Sequence, residues 1–165
     1  MAIVSADARP SLVHIDHDST VKLNCKGREM RLDGYRFYYE LRVRWSEVDG
    51  QQIVFNANYL AYMDLAYAEY LRRELKLSSG LPSTVIAKST LQFRQSAEFD
   101  DVLRVWVRTS LIGRTSMTVD FAITRDDEVL FDAQTIYVYV DKETKRPTPV
   151  PDEWRRTIEE YEQGR

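Results

Sequence analysis

Two carboxylates, Glu47 and Asp49, stand just ahead of a helix-like stretch rich in tyrosine and alanine. An acid held close to a helix N-terminus suits attack on a carbonyl. The first helix amides can stabilise an oxyanion while the carboxylate supplies a base or a nucleophile. Asp49-Gly50 is also a common turn dipeptide, so a purely conformational role competes. Glu47 reads equally as an exposed strand end or as a helper to Asp49. Asn58 fits the orientation of Asp49 or of a substrate, and it also suits a helix cap, which is the preferred reading. Tyr59 and Tyr62 read as core residues before substrate contacts.

Other chemistries lose their residues. The two histidines, His14 and His17, lie near the N-terminus, so a Ser-His-Asp or Cys-His site within the main body would need help from there. The glycine-flanked serine of a nucleophile elbow is missing, which removes α/β-hydrolase chemistry. The cluster His14-Ile15-Asp16-His17-Asp18 reads as a solvated tail, and no metal site is expected from it. No glycine fingerprint for nucleotide phosphates occurs.

The chain of 165 residues favours one domain, with 44% hydrophobic and 30% charged residues as in globular proteins. A net charge of −3 argues against a nucleic-acid partner bound by bulk charge. No stretch approaches the roughly 20 apolar residues of a membrane span, so no membrane partner is expected. Cys25 is the lone cysteine, which excludes an intrachain disulfide. The first residues lack the basic start and long apolar middle of a signal peptide, and the cytoplasm is the expected address.

The elements that must position the acids follow from periodicity. Residues 1–34 lack sustained periodicity and are read as an N-terminal extension, partly disordered, with a hairpin-like piece at 20–25. Phe37, Tyr39, Leu41, Val43 and Trp45 alternate, which predicts a half-buried strand over 35–45. Tyr59, Tyr62, Met63, Ala66, Tyr70 and Leu71 fall at helical spacing over 58–75, with Ala57, Ala61, Ala66 and Ala68 keeping that helix slim. Four strands are expected at 85–99, 103–112, 116–125 and 129–140. Short turn signals between them predict consecutive antiparallel pairing of the last three. Pro147, Pro149 and Pro151 make a stiff exit, and Asp152 would cap a last helix over 152–165, with Trp154, Ile158 and Tyr161 on one face. The class is α+β, an antiparallel sheet wrapped around one long central helix. Periodicity alone leaves other α+β folds open.

The run Asp49-Gly50-Gln51-Gln52-Ile53-Val54-Phe55-Asn56-Ala57-Asn58-Tyr59 resembles the hot-dog acyl-CoA thioesterases of the 4-hydroxybenzoyl-CoA thioesterase family. Asp49 matches the family's catalytic acid, Ile53-Val54 its apolar pair and Asn58-Tyr59 its helix opening, and the resemblance extends over 35–151. It implies a hot-dog domain in which Asp49 acts on a thioester carbonyl as general base or nucleophile. The backbone N–H of Asn56, seven residues on, is the implied oxyanion donor. One large branch has histidine at that position and the benzoyl branch tyrosine. The family also has glycine before the apolar pair where this chain has Gln52, which implies a different loop shape.

For the CoA arm and phosphates, Gly113-Arg114-Thr115-Ser116 resembles the family's small-residue turn, a plain hairpin turn being the alternative. Arg94 and the cluster Lys142, Lys145 and Arg146 are further phosphate candidates. The resemblance implies no cofactor, an acyl-CoA substrate and a homodimer or homotetramer whose sites lie between subunits. The alternatives are an acyl-CoA-binding scaffold without hydrolysis, or a thioesterase acting on acyl carrier protein. A dehydratase ranks lower, since it normally pairs its acid with a histidine.

Overall fold

The computed structural model describes residues 22–23, 30–76 and 83–164. In the extension, β1 (Lys22–Leu23) pairs antiparallel with β2 (Met30–Arg31). The anticipated hairpin-like piece at 20–25 overlaps the first of these strands, and the rest of it, like His14 and His17, lies outside the described residues.

The main sheet has five strands: β3 (Phe37–Arg42), β4 (Thr84–Phe93), β5 (Val102–Ile112), β6 (Ser116–Arg125) and β7 (Glu128–Tyr139). Their spatial order is β3-β5-β6-β7-β4, and every neighbouring pair is antiparallel. The last three strands pair consecutively, as their turns predicted. The long helix α1 (Asn56–Arg73) packs over β5 and β3 and buries Tyr59, Tyr62, Met63, Ala66, Tyr67, Tyr70 and Leu71 in one core with residues of the main sheet. Covering a large apolar side chain contributes about 1.5–3 kcal/mol, and aromatic geometry adds to this where Tyr67 stacks on Tyr137 at 4.5 Å. The helix is less slim than its alanines suggested: Ala57 and Ala61 face outward, and among these alanines Ala66 alone is fully covered.

Two expectations fail at strand ends. The alternation through Trp45 predicted a half-buried residue, yet Trp45 is 73% exposed. The strand stops at Arg42, and Val43 exchanges its backbone bonds with 100–101 (Val43 N–H to Asp101 O 2.9 Å, Asp100 N–H to Val43 O 3.2 Å). A short 3-10 turn, Trp45–Glu47, then swings Trp45 out to stack edge-on against Phe99 at 5.2 Å. Likewise β4 ends at Phe93 rather than 99. Asp152 is the first residue of α2 (Asp152–Gln163), and Pro151 holds the cap position without a side-chain bond. Proline pre-sets the extended backbone needed there. Trp154 and Ile158 are buried and Tyr161 half-buried, as their spacing predicted.

Candidate active site

The chain between the 3-10 turn and α1 doubles back tightly. Asp49 N–H donates to Ile53 O at 2.9 Å, Gln52 N–H to Asp49 O at 2.9 Å, and Val48 bridges Val54. Gln52 has φ +65°, the left-handed conformation that glycine adopts without a Cβ penalty. The loop therefore keeps a glycine-type backbone with glutamine in it, and this alters the expectation of a different loop shape. Gly50, by contrast, has no positive φ, and a Cβ there would meet nothing within 4 Å.

This loop, the first turn of α1 and the segment after β4 enclose an open cleft of about 400 Å³ lined by Asp49, Gln51, Ile53, Val54, Phe55, Asn56, Tyr59, Phe93, Arg94, Gln95 and Ser96. Asp49 is part-exposed. Its Oδ1 accepts the Gln51 amide at 2.7 Å, and its Oδ2 accepts no hydrogen bond among the described residues. Asn56 opens α1, so its amide has no partner within the helix and belongs to the positive end of the helix dipole. Tyr59 is 2% exposed, and its ring packs on Phe93 at 5.3 Å and Phe131 at 5.1 Å.

Asp49 and Asn56 thus meet at one cleft. Glu47 and Asn58 do not line it. The Glu47 carboxylate accepts the Arg44 amide at 2.7 Å and the Tyr62 hydroxyl at 2.9 Å, which fixes the 3-10 turn to α1. Burial, and then the bond to Glu47, push the Tyr62 phenol up. Asn58 neither caps α1 nor reaches Asp49. Phe55 holds the cap position, and Asn58 Nδ2 donates instead to the backbone oxygen of Glu47 at 2.7 Å. Both residues brace the acid loop from behind.

The turn at Gly113, Arg114, Thr115 and Ser116 closes the β5–β6 hairpin, with Gly113 N–H to Ser116 O at 2.7 Å. Two of its carbonyls are engaged by the C-terminal segment, Gly113 O by Arg155 at 2.8 Å and Arg114 O by Val150 N–H at 2.9 Å, and Thr115 O accepts Tyr139 N–H at the end of β7 at 2.8 Å. Ser116 lies opposite Val138, whereas Phe93 at the cleft lies opposite Phe131. At ~3.3 Å per residue that separates turn and cleft by roughly 23 Å along β7. Lys142, Lys145 and Arg146 are exposed just beyond the end of β7 near the turn. Of the basic candidates Arg94 alone reaches the cleft, where it is ion-paired with Asp132.

The hydrogen bond from Ala97 N–H to the Tyr59 hydroxyl, 3.0 Å, was not legible in sequence. Its partners are distant in the chain, and Tyr59 carried only the helical spacing of a core residue.

The family model of the thioesterase-like superfamily matches residues 43–158. The chain belongs to that superfamily. The sheet and central helix are its hot-dog fold. Among solved relatives, a Thermus thermophilus thioesterase complexed with coenzyme A and zinc superposes with a TM-score of 0.70 at 27% identity, over 81% of this chain and 98% of that one. A 1,4-dihydroxy-2-naphthoyl-CoA thioesterase from Synechocystis gives 0.65 at 24% identity, over 74% and 94%, and shares the fold. In sequence, the acyl-CoA thioester hydrolase YbgC of Escherichia coli is 25% identical over 120 residues, 70% of this chain and 90% of its own. Within the superfamily fold, the described residues include no helix long and apolar enough to cross a membrane.

Proposed function

We propose that this protein is a thioesterase that hydrolyses an acyl-CoA to a carboxylic acid and free CoA. The observation that carries this is the meeting at a single cleft of Asp49 and the first amide of α1, with one Asp49 carboxylate oxygen and that amide both without a hydrogen-bond partner among the described residues. The Asn56 amide would hold the carbonyl oxygen as negative charge develops on it. Asp49, oriented through the Gln51 amide, either takes a proton from the attacking water or adds to the carbonyl carbon as a mixed anhydride that water then opens. In the base route the C–S bond breaks and the proton taken from water passes to the departing sulfur; in the anhydride route CoA departs as the thiolate, and the water that opens the anhydride releases the proton that balances it.

A second copy completes the picture. Among the described residues β4 is an edge strand, unpaired on one side and with half-exposed Val85, Ile86 and Phe93, a surface suited to strand pairing. Two-fold pairing of β4 with β4 is antiparallel and inverts the partner. The partner's turn at 113–116 then lies toward this chain's cleft, which one chain alone does not achieve. Ile86→Lys at this edge is expected to convert a dimer or tetramer to monomers in light scattering and to remove most activity. A monomeric wild type would refute the arrangement.

One observation favours binding without hydrolysis: Asp49 already has a conformational job in closing its loop on Gln51. Thiol release from benzoyl-CoA, hexanoyl-CoA and palmitoyl-CoA decides between the readings. Hydrolysis of at least one is expected. Absence of thiol release, with CoA still raising the melting temperature, would favour the binding module.

A further inference from the structure

We propose that Tyr59 is a positioning residue whose hydroxyl sets the geometry of the oxyanion amide by clamping the cleft wall at 94–101 to α1. This rests on the hydrolase reading above. Ala97, at 0% exposure, is held through both of its backbone groups. Its amide donates to the Tyr59 hydroxyl at 3.0 Å, and its carbonyl accepts Val54 N–H at 2.8 Å. Val54 precedes Asn56 by two residues and Tyr59 follows it by three, one turn along α1. The amide assigned to the oxyanion therefore sits on a short span of chain fastened to the same buried residue on both sides. The next residue of the wall, Glu98, bridges Ile53, whose carbonyl takes the Asp49 amide at 2.9 Å. Acid and oxyanion donor are referenced to one wall.

That wall is itself anchored away from α1. Arg125 donates to Asp101 at 2.8 Å and to Glu128 at 3.1 Å, and the same Asp101 oxygen accepts Glu98 N–H at 2.8 Å. Arg94 N–H and Gln95 N–H both donate to Leu130 O, at 2.9 and 3.1 Å. With its sheet side fixed, the wall has, among the described residues, one hydrogen bond to the helix side chains, that to the Tyr59 oxygen. Burial pushes the Tyr59 phenol up, so it remains a neutral acceptor at working pH. Without that oxygen the Ala97 amide is a buried donor with no partner, and the wall must shift to recover one. An oxyanion donor works only at about 2.7–3.1 Å from the developing charge, and a misplacement of about 1 Å can cost on the order of a hundredfold in rate. A phenol needed for packing alone would lower stability and leave turnover intact.

The test is kcat and KM of Tyr59→Phe on the fastest of the three acyl-CoA esters, measured well below the melting temperature with oligomeric state checked. The control is Tyr67→Phe, which removes a hydroxyl from the same buried helix face; Tyr67 stacks on Tyr137 and has no hydrogen bond among the described residues. Tyr59→Phe should lose about tenfold or more in kcat with KM within about threefold of wild type, and Tyr67→Phe should keep wild-type kcat. A folded Tyr59→Phe enzyme with full kcat overturns the inference while leaving the hydrolase reading in place. A wild type that hydrolyses none of the esters overturns both. Should Tyr59→Phe not fold, Arg125→Gln loosens the same wall from its sheet side. A fall of about threefold or more in kcat at constant KM is expected there, and full kcat would sink the clamp.

Discussion

The central helix meets a carboxylate at each end, and the fold treats the two oppositely. At its C-terminal half, Glu162 of α2 accepts the Tyr70 hydroxyl at 2.7 Å and the Thr109 amide at 2.8 Å. Thr109 lies where β5 runs beyond the end of β3, whose ladder stops at Phe37 opposite Val107, so Glu162 supplies the partner that the ladder lacks. Its second oxygen, Oε2, is buried without a hydrogen-bond partner among the described residues, and burial pushes the carboxyl above the ordinary glutamate range. At the N-terminal end, Asp49 has, among the described residues, the same count of engaged oxygens, one, but it lines an open cleft beside the first amide of α1, which has no partner within the helix. A spare carboxylate oxygen sealed in the core favours a held proton, and one beside a cleft is available to a substrate. Surroundings, more than residue type, separate the architectural carboxylate from the one proposed for chemistry.

That contrast can be broken from the Glu162 side. Glu162→Ala leaves the Thr109 amide and Tyr70 hydroxyl short of an acceptor, and should cost about 1–3 kcal/mol in denaturant unfolding. Turnover per folded molecule should stay at wild type. A large loss of kcat with stability intact would mean that the two carboxylates are not separate in role.

A smaller effect sharpens the comparison through pH. Folding raises the Glu162 pKa, so the folded chain holds this proton more tightly than the unfolded one. The stability so gained is complete below the ordinary glutamate value of about 4.3 and is lost as pH rises through the raised value. Glu162→Gln keeps an acceptor oxygen without the titration. Its melting temperature should fall less than that of wild type as pH rises from about 4 to about 7; parallel curves would remove Glu162 as the source.

The smallest effect lies in the acid loop. Gln52 holds φ +65° at a cost of roughly 1 kcal/mol relative to a residue free of that penalty. Gln52→Gly should raise stability by about 0.5–1 kcal/mol, partly offset by the entropy of glycine in the unfolded chain. A destabilised variant would show that the Gln52 side chain has a contact role.

Much of this architecture was legible because its signals are local. The helix, the consecutive hairpins of β5 to β7 and the apolar face of α2 follow from spacing and turn residues a few positions apart. That Asp49 and Asn56 lie at one cleft was legible for the same reason, since loop and helix start adjoin in the chain. The placement of β4 beside β7, the Tyr59–Ala97 bond and the Glu162 contacts join distant segments, and no local pattern encodes them. Trp45 misled because alternation continues through 3-10 residues whose side chains no longer obey the strand period. Asn58 misled because cap-forming residues also bond carbonyls from within a first turn. Gly113-Arg114-Thr115-Ser116 sits at the opposite end of the sheet from Asp49 within one chain, and only the two-fold pairing proposed above would bring such a turn toward a cleft.

The most direct test of the whole account is thiol release from the fastest of the three acyl-CoA esters by wild type and Asp49→Ala. At least a hundredfold loss in kcat/KM with an unchanged melting temperature is predicted, the scale of acid–base or nucleophilic participation. Full activity in Asp49→Ala would contradict the account and leave Asp49 as the residue that closes a loop.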